Sequence, residues 1–470
     1  MKNSMKTLVL LTVVLAAGFS VFANESRKAS ASNVAPFSNA ERVAFLGDSI
    51  THGGLYHVNL QLFWDLRFPG SSTRMVNCGV SGDTAGGGAA RYMHDVLPHQ
   101  PDRVFVMFGM NDVGRDGFAE GKNAEAKRKA RLNSYRKNME KIADLVQSGG
   151  KNLVIMTPSP YDEYGKFYKP DPLVGCNSQG LAAFAQVCRE LAAERKANLL
   201  ELYAPLTEFI STQNDFMFCR QSDRVHPTPA GHIIMSALIL EAMGVSPVVA
   251  KIEMNADGRI RKNVRAKVSD VKVSPHNISF SYAPASLPFP TPEEYLEADA
   301  VYPVSKKMNL EIVEIAGLPS GEYDLLTNGK TIGTFSAGQL AAGVNLALMP
   351  TPGATLAMEA WKISRRISSL QSRLRSFAMV ENVAARHGAK ADDTDDICAK
   401  MEEFVNRLEK NGSKYATYYS RQLAAYRRDK VQAGQLRAQE DDCRRRLAMS
   451  ASKKVAYTIA IRPSAKQNGN

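Results

Sequence analysis

Between Glu41 and Val245, short apolar runs alternate with longer segments whose apolar residues recur at helical spacing. The apolar runs predict buried strands at 42–46, 74–78, 103–108, 152–157 and 198–202. The segments between them predict helices at 57–67, 89–97, 126–148, 179–196 and 229–243. Strands that alternate with helices are typical of a parallel sheet covered by helices on both faces. We therefore expect a three-layer α/β/α sandwich over residues 41–247.

The pattern changes after Pro247, where short strands follow one another with turns between them. These strands are predicted at 266–274, 277–282, 309–315, 323–327, 331–336 and 344–349. They indicate a small β-sandwich-like domain over residues 248–354.

Residues 355–454 are highly charged and have helical periodicity. Helices are predicted at 355–386, 396–410 and 414–449, packed as an antiparallel hairpin or bundle. Residues 455–463 return to strand character, so we expect them to complete the β domain and the helices to be an insertion into it. Residues 464–470 are expected to form a disordered tail.

The N-terminus reads as a targeting segment. Lys2 and Lys6 precede the apolar run Leu8–Phe22, and Val21-Phe22-Ala23 has small residues at cleavage spacing. We expect a signal peptide at 1–23, a linker at 24–40, and export to the periplasm or the exterior. A membrane anchor is the alternative, but the apolar run is short for a spanning helix. No later stretch is apolar for long enough to predict a transmembrane segment.

Export would permit disulfides, and the chain has six cysteines without CxxC spacing. Cys176 with Cys219 is one candidate pair, and Cys398 with Cys443 is another. Buried free thiols are the alternative, because spacing alone does not fix connectivity.

The positive charge is uneven. About eleven of the twelve net positive charges lie after Trp361, so the first domain is near neutral. We interpret the basic clusters at 365–366, 427–428 and 444–446 as a solvated helix face. Contact with an anionic polysaccharide or an envelope surface is the alternative. We find no nucleic-acid-binding module, and export argues against one.

Four segments of the first domain carry residues of unusual chemistry. Three of them follow predicted strands, and the carboxyl ends of parallel strands meet at one edge of a sheet. The fourth precedes the last predicted helix and brings a carboxylate and an imidazole within three residues of each other. The segments are Gly47-Asp48-Ser49, Gly79-Val80-Ser81-Gly82-Asp83-Thr84, Gly109-Met110-Asn111-Asp112 and Ser222-Asp223-Arg224-Val225-His226-Pro227.

In this order and spacing, the four blocks resemble those of the SGNH (GDSL-type) hydrolase family over about residues 41–245. The resemblance implies a flavodoxin-like α/β/α fold and the hydrolysis of esters. It implies that Ser49 is the nucleophile, His226 the base and Asp223 its partner. It also implies that Ser49, Gly82 and Asn111 form the oxyanion hole.

The residue types suit that chemistry. A neutral serine hydroxyl is a poor nucleophile and needs a base within hydrogen-bond reach, and imidazole titrates near neutrality. A carboxylate beside the imidazole would orient the ring. Backbone N–H groups and an amide side chain can hold the negative charge of a tetrahedral intermediate.

Other polar residues near these blocks receive structural interpretations. We interpret Asp48 and Asp112 as carboxylates that bond loop amides. The other histidines are expected to be surface or supporting groups, and His52 is the one nearest in sequence to Ser49. No grouping of His, Cys and carboxylates indicates a metal site, so we expect neither a metal nor a cofactor. The aromatic residues between Tyr161 and Gln179 either stack on sugar rings at the active-site edge or pack a long loop.

The sequence therefore predicts an exported serine esterase that acts through an acyl-enzyme. O-acetyl groups on carbohydrate are the favoured substrate, because an exported enzyme meets polysaccharides and the family includes many carbohydrate acetylesterases. Lipase, lysophospholipase or thioesterase activity is the alternative within enzymes. A non-catalytic, exported glycan-binding protein is an alternative of another class, and the complete set of motif residues argues against it.

Overall fold

The computed structural model describes residues 34–118, 124–169, 171–275, 277–413 and 415–465. The predicted signal peptide at 1–23 lies outside the described residues, as does the first part of the predicted linker, 24–33. Residues 466–470 of the predicted tail also lie outside them.

The described end of the linker segment packs onto the first domain. Phe37 is buried, and its ring meets Trp64 edge-on with ring centroids 5.1 Å apart. Arg103 donates a hydrogen bond to the carbonyl oxygen of Ala35. Residues 34–40 therefore lie against the sheet and the helix that follow them in sequence.

Five parallel strands form the sheet of the first domain, in the order β2-β1-β3-β4-β5. The strands are β1 (Arg42–Gly47), β2 (Arg74–Gly79), β3 (Arg103–Met107), β4 (Asn152–Met156) and β5 (Asn198–Leu200). β3 is buried along its whole length, as expected of a strand covered on both faces. This order is the flavodoxin-like one, and it brings all the carboxyl ends to one edge.

Helices cover this sheet. They are α1 (Ser49–Gly53), α2 (Leu55–Arg67), α3 (Ala85–Arg91), α4 (Ala124–Ser148), α5 (Ala182–Glu194), α6 (Tyr203–Thr212) and α7 (Pro229–Ala242). One group consists of α2 packed on α7, and another of α4 packed on α3 and α5. The arrangement confirms the predicted α/β/α fold.

Two further sheets follow, and they share one apolar core. One has the order β13-β10-β6-β7 and the other, which is antiparallel, has the order β12-β11-β14-β9-β8. The strands are β6 (Val248–Asn255), β7 (Ile260–Val264), β8 (Ala266–Ser274), β9 (Asn277–Pro284), β10 (Leu310–Ala316), β11 (Glu322–Thr327), β12 (Lys330–Ser336), β13 (Val344–Asn345) and β14 (Tyr457–Pro463). Short helices connect them: α8 (Glu293–Val301), α9 (Val304–Met308) and α10 (Ala337–Ala342).

Residues 352–451, between β13 and β14, form what we call the helical insertion. Its helices are α11 (Pro352–Arg386), α12 (Thr394–Lys410), α13 (Ala416–Asp429) and α14 (Ala433–Ala451). α11 packs on α14 and α12, and α12 packs on α13. α11 also contacts α2 and β2, so the insertion lies against the first domain.

The structure differs from the expected elements in several places. β6 and β7 were not expected; β7 is an exposed edge strand rich in charged residues, so it has no apolar run to reveal it. α6 has a proline in its first turn and was not expected either. The helix expected at 414–449 is divided by a 3-10 turn at Lys430–Gln432.

Of the two alternatives for the cysteines, the structure has buried free thiols, and neither candidate disulfide is formed. All six cysteines are free thiols and all are buried, including Cys176, Cys219, Cys398 and Cys443. The sulfur of Cys188 lies 3.1 Å from the hydroxyl oxygen of Tyr135. Burial raises the pKa of the Cys176 thiol to about 12. These side chains fill the interior as small apolar groups.

No helix in the described ranges is long and apolar enough to cross a membrane.

Residues at the far end of the chain should be needed for the β domain, because β14 pairs with both β9 and β11. Ile459 is fully buried in β14, so Ile459→Ala should lower the free energy of unfolding by about 2–5 kcal/mol. Urea unfolding followed by circular dichroism measures this. Thr458→Ala, on the exposed side of the same strand, should change it by less than about 0.5 kcal/mol. Equal effects of the two substitutions would contradict this role of β14.

Candidate active site

Ser49 stands where β1 ends and α1 begins. Asp48 caps this helix, because its carboxylate accepts a hydrogen bond of 2.9 Å from the backbone N–H of Ile50. Gly79 ends β2 beside this turn, and a Cβ at Gly79 would lie only 2.1 Å from the backbone nitrogen of His52. A glycine at this position therefore lets α1 approach β2. Ser49 is left partly exposed at the carboxyl edge of the sheet.

Ser49, His226 and Asp223 form a hydrogen-bonded chain. The Nε2 atom of His226 lies 2.8 Å from Ser49 Oγ, and its Nδ1 atom lies 3.0 Å from Asp223 Oδ2. The other oxygen of Asp223 accepts hydrogen bonds from the backbone N–H groups of Val225 and His226. The geometry is that of a nucleophile, a base and an orienting carboxylate.

The Asp223 carboxylate is held in its charged form. Burial raises its pKa, but hydrogen bonds from the His226 side chain and backbone outweigh burial and lower the pKa to about 2. Asp223 therefore stays ionised at neutral pH, where it can orient His226 and stabilise an imidazolium.

Gly82 and Asn111 lie on neighbouring loops. Gly82 has a φ of +77°, a conformation that favours glycine, and it belongs to residues 79–84, which we call the second motif loop. The side-chain amide of Asn111 donates a hydrogen bond of 2.8 Å to the carbonyl oxygen of Asp83 in that loop. An amide nitrogen carries two N–H groups, so the other can face a substrate oxygen.

Asp48 and Asp112 bond loop amides, in agreement with the sequence interpretation. Asp112 accepts hydrogen bonds from the backbone N–H groups of Ala85 and Gly109. Burial raises the pKa of Asp48 to about 6 and that of Asp112 to about 7. Neither carboxylate bonds Ser49 or His226 among the contacts that the structure describes.

His52 is a buried supporting group. Its Nδ1 atom accepts a hydrogen bond of 3.2 Å from the backbone N–H of Ser81 and lies 3.0 Å from Ser81 Oγ. Its Nε2 atom lies 3.1 Å from the carbonyl oxygen of Ser372 in α11. A neutral ring with the proton on Nε2 satisfies both contacts. His52 thus joins the second motif loop to the helical insertion.

Sequence reasoning missed Arg91, which is 1% exposed. Its guanidinium donates to the carboxylates of Asp83 and Asp95 and to the carbonyl oxygens of Gly47 and Cys78. It therefore ties the ends of β1 and β2 to the second motif loop. A signal was present in the sequence, because Asp95 lies four residues after Arg91 on one helical face.

The aromatic segment after β4 is partly buried and partly exposed. Tyr168 is buried, and its hydroxyl donates to Asp162. Tyr164 and Phe167 remain 36% and 40% exposed. The backbone N–H of Asp162 donates to the carbonyl oxygen of Arg224, so the segment braces the loop that carries Asp223 and His226.

Several known proteins are similar to this chain in sequence. Residues 45–234 match the model of the GDSL-like lipase/acylhydrolase family. An acetylxylan esterase of Geobacillus stearothermophilus is 26% identical over 224 residues, which are 44% of this chain and 95% of that protein. An arylesterase of Vibrio mimicus is 26% identical over 196 residues, which are 40% of this chain and 82% of that protein.

A solved structure extends the similarity to the second half of the chain. It is described as a gut microbial diltiazem-metabolizing enzyme, is 26% identical, and has a TM-score of 0.80. The match covers 93% of this chain and 100% of that one. Residues 45–234 therefore match a GDSL-type (SGNH) hydrolase domain, and the chain is a carboxylic ester hydrolase.

The contacts of His52 predict a pH effect on stability. Burial lowers the pKa of His52 from 6.5 to about 4. Between these pH values the unfolded chain takes up a proton that the folded chain does not. The contribution of His52 to stability is therefore present above pH 6.5 and is lost as the pH falls toward 4.

The free energy of unfolding, measured in urea at several pH values, should fall more steeply for the wild type than for His52→Gln over this window. Over the whole window, the wild type should lose at most about 3 kcal/mol more unfolding free energy than the variant. Parallel curves for the two proteins would show that His52 is not held neutral in the folded state.

Proposed function

We propose that this protein is an exported serine esterase that removes O-acetyl groups from carbohydrate through an acyl-enzyme. The observation that carries the proposal is the contact of 2.8 Å between His226 Nε2 and Ser49 Oγ, with Asp223 behind the imidazole. This arrangement lies at the carboxyl edge of a parallel sheet, where open α/β folds bind their ligands.

In the first half of the reaction, Ser49 Oγ attacks the carbonyl carbon of the ester while His226 Nε2 takes the hydroxyl proton. The carbonyl π electrons move onto the oxygen and form a tetrahedral intermediate. When this intermediate collapses, the bond to the alcohol breaks and His226 returns the proton to the leaving oxygen. The acetyl group is left as an ester on Ser49.

In the second half, His226 takes a proton from water, and the hydroxide attacks the acyl-enzyme. When the second tetrahedral intermediate collapses, the bond from the acyl carbon to Ser49 Oγ breaks, His226 returns its proton to Ser49 Oγ, and acetate is released. In both halves the negative oxygen would be held by the backbone N–H groups of Ser49 and Gly82 and by the Asn111 amide.

The carbohydrate substrate is supported by two considerations. A relative that matches this chain over 95% of its own length is named an acetylxylan esterase. The N-terminus has the charge and apolar pattern of a signal peptide, and an exported enzyme meets polysaccharides. The acyl chemistry itself does not choose the alcohol, so the substrate needs a direct test.

The test uses purified residues 24–470 with acetylated xylo-oligosaccharides and with p-nitrophenyl acetate, butyrate and octanoate. We expect acetate release from the oligosaccharides and a preference for the acetyl ester. A preference for octanoate would overturn the carbohydrate assignment in favour of a lipase. Mass spectrometry of the protein from cells that express the full chain tests export, since the mature chain should begin at Asn24.

Ser49→Ala should reduce kcat on p-nitrophenyl acetate by at least about a thousandfold, because the acyl-enzyme cannot form. Initial rates and the burst of p-nitrophenol measure the loss. Ser211→Ala, on the exposed surface of α6, is the matched control and should behave as the wild type. Equal activity in the two variants would exclude Ser49 as the nucleophile.

Asn111→Ala should lower kcat by about a hundredfold to a thousandfold with little change in KM, because the amide acts on charge that develops in the transition state. Asn133→Ala removes the same amide from the exposed side of α4 and should leave kcat unchanged. A rise in KM at constant kcat would instead place Asn111 in ground-state binding.

A further inference from the structure

The helical insertion reaches the second motif loop, and α13 places Tyr419 beside Gly82. We propose that Tyr419 forms the wall of the acyl side of the substrate site and selects short acyl groups. The inference rests on the proposed function, because it takes the Gly82 N–H as a donor to the substrate carbonyl oxygen.

The position of Tyr419 follows from one distance. Its hydroxyl oxygen lies 3.3 Å from the point that a Cβ on Gly82 would occupy. A substrate oxygen accepting from Gly82 N–H would be about 2.9 Å from that nitrogen. Adding the bonds from the nitrogen through Cα puts the Tyr419 hydroxyl at most roughly 9 Å from the substrate oxygen. Tyr419 therefore lies within reach of an acyl chain that extends from a carbonyl bound there.

The Tyr419 side chain is held firmly within the insertion. Its ring meets Phe404 edge-on with ring centroids 5.1 Å apart, and Phe404 stacks on His387 with centroids 5.0 Å apart. Burial raises the pKa of the Tyr419 hydroxyl, so the group stays protonated at neutral pH. The wall is therefore a fixed, neutral phenol that occupies part of the space beside Gly82.

Contacts from α11 fix the insertion to the second motif loop. Arg375 donates a hydrogen bond of 2.9 Å to the carbonyl oxygen of Gly79, at the start of the loop. Arg386 lies 2.6 Å from a carboxylate oxygen of Asp83, next to Gly82. The carboxylate of Asp83 is also paired with the buried Arg91. Asp83 therefore links the insertion to the first domain through two arginines.

The geometry of the reaction assigns the wall to the acyl side. The leaving alcohol must lie beside His226, because His226 protonates it. The segment 161–168 braces the loop that carries His226, so it belongs to the alcohol side. The insertion meets Gly82 instead. An acetyl group ends at one methyl, whereas a longer acyl chain would continue into the space that Tyr419 fills.

The experiment compares kcat/KM on p-nitrophenyl acetate, butyrate and octanoate for the wild type, Tyr419→Phe and Tyr419→Ala. Tyr419→Ala should raise the ratio of octanoate to acetate activity by at least about tenfold, the effect of opening space for apolar carbons. Tyr419→Phe keeps the ring and should leave the ratio within about twofold of the wild type. Thr417→Ala, at an exposed position of the same helix, is the control for changes in α13 and should leave the ratio unchanged.

Labelling of Ser49 by p-nitrophenyl alkylphosphonates of increasing chain length gives the same comparison without turnover. Thermal unfolding shows whether each variant is folded. A further variant, Tyr419→Trp, narrows the site and should lower butyrate activity more than acetate activity. If folded Tyr419→Ala keeps the wild-type chain-length profile, the inference is wrong although the esterase remains. If the wild type itself hydrolyses none of the esters and Ser49 takes no label, the proposed function fails first.

Discussion

The buried guanidinium of Arg91 joins the parts of the chain on which the site depends. It bonds carbonyl oxygens at the ends of β1 and β2 and the carboxylates of Asp83 and Asp95. Burial raises the pKa of Asp95, but Arg375 and Arg91 together hold it well below its usual range. A buried charge is costly unless it is paired and hydrogen-bonded. Removal of an arginine or an aspartate from this network would therefore leave a buried charge without its partner. The turn that carries Ser49 and the second motif loop are thereby fixed to each other.

This network also explains why the two halves of the chain act as one structure. Arg375 belongs to the helical insertion, and it shares Asp95 with Arg91 from the first domain. The sheet edge that carries Ser49 is therefore supported by a helix about three hundred residues later in sequence. Such support holds hydrogen-bond donors in place before the substrate arrives, which is what electrostatic stabilisation of a transition state requires.

Sequence patterns predicted the strands and motifs, which are encoded locally, but not the contacts between segments that are distant in sequence. The five strands of the first sheet were predicted because each contains a short apolar run, and the candidate site residues Ser49, Asn111 and His226 lie in short motifs at strand ends and loops. The contacts of His52 with Ser372 and of Arg386 with Asp83 left no such pattern. They join residues 320 and 303 positions apart, and periodicity carries no information on how separate units pack.

The motif blocks and the helical insertion lie in different parts of the chain, and they can have different tasks in the reaction. The match to the acetylxylan esterase relative covers 95% of that protein but only 44% of this chain, so more than half of this chain lies outside the match. In the proposed reaction, the motif blocks supply the nucleophile, the base and the charge-stabilising groups on the sheet edge. A segment added beside Gly82 can then change which substrate fits without changing the bond-breaking groups, because selectivity depends on the shape of the surrounding walls. Tyr419 lies in such a segment, where one side chain can alter acyl selectivity while the Ser49–His226 contact stays intact.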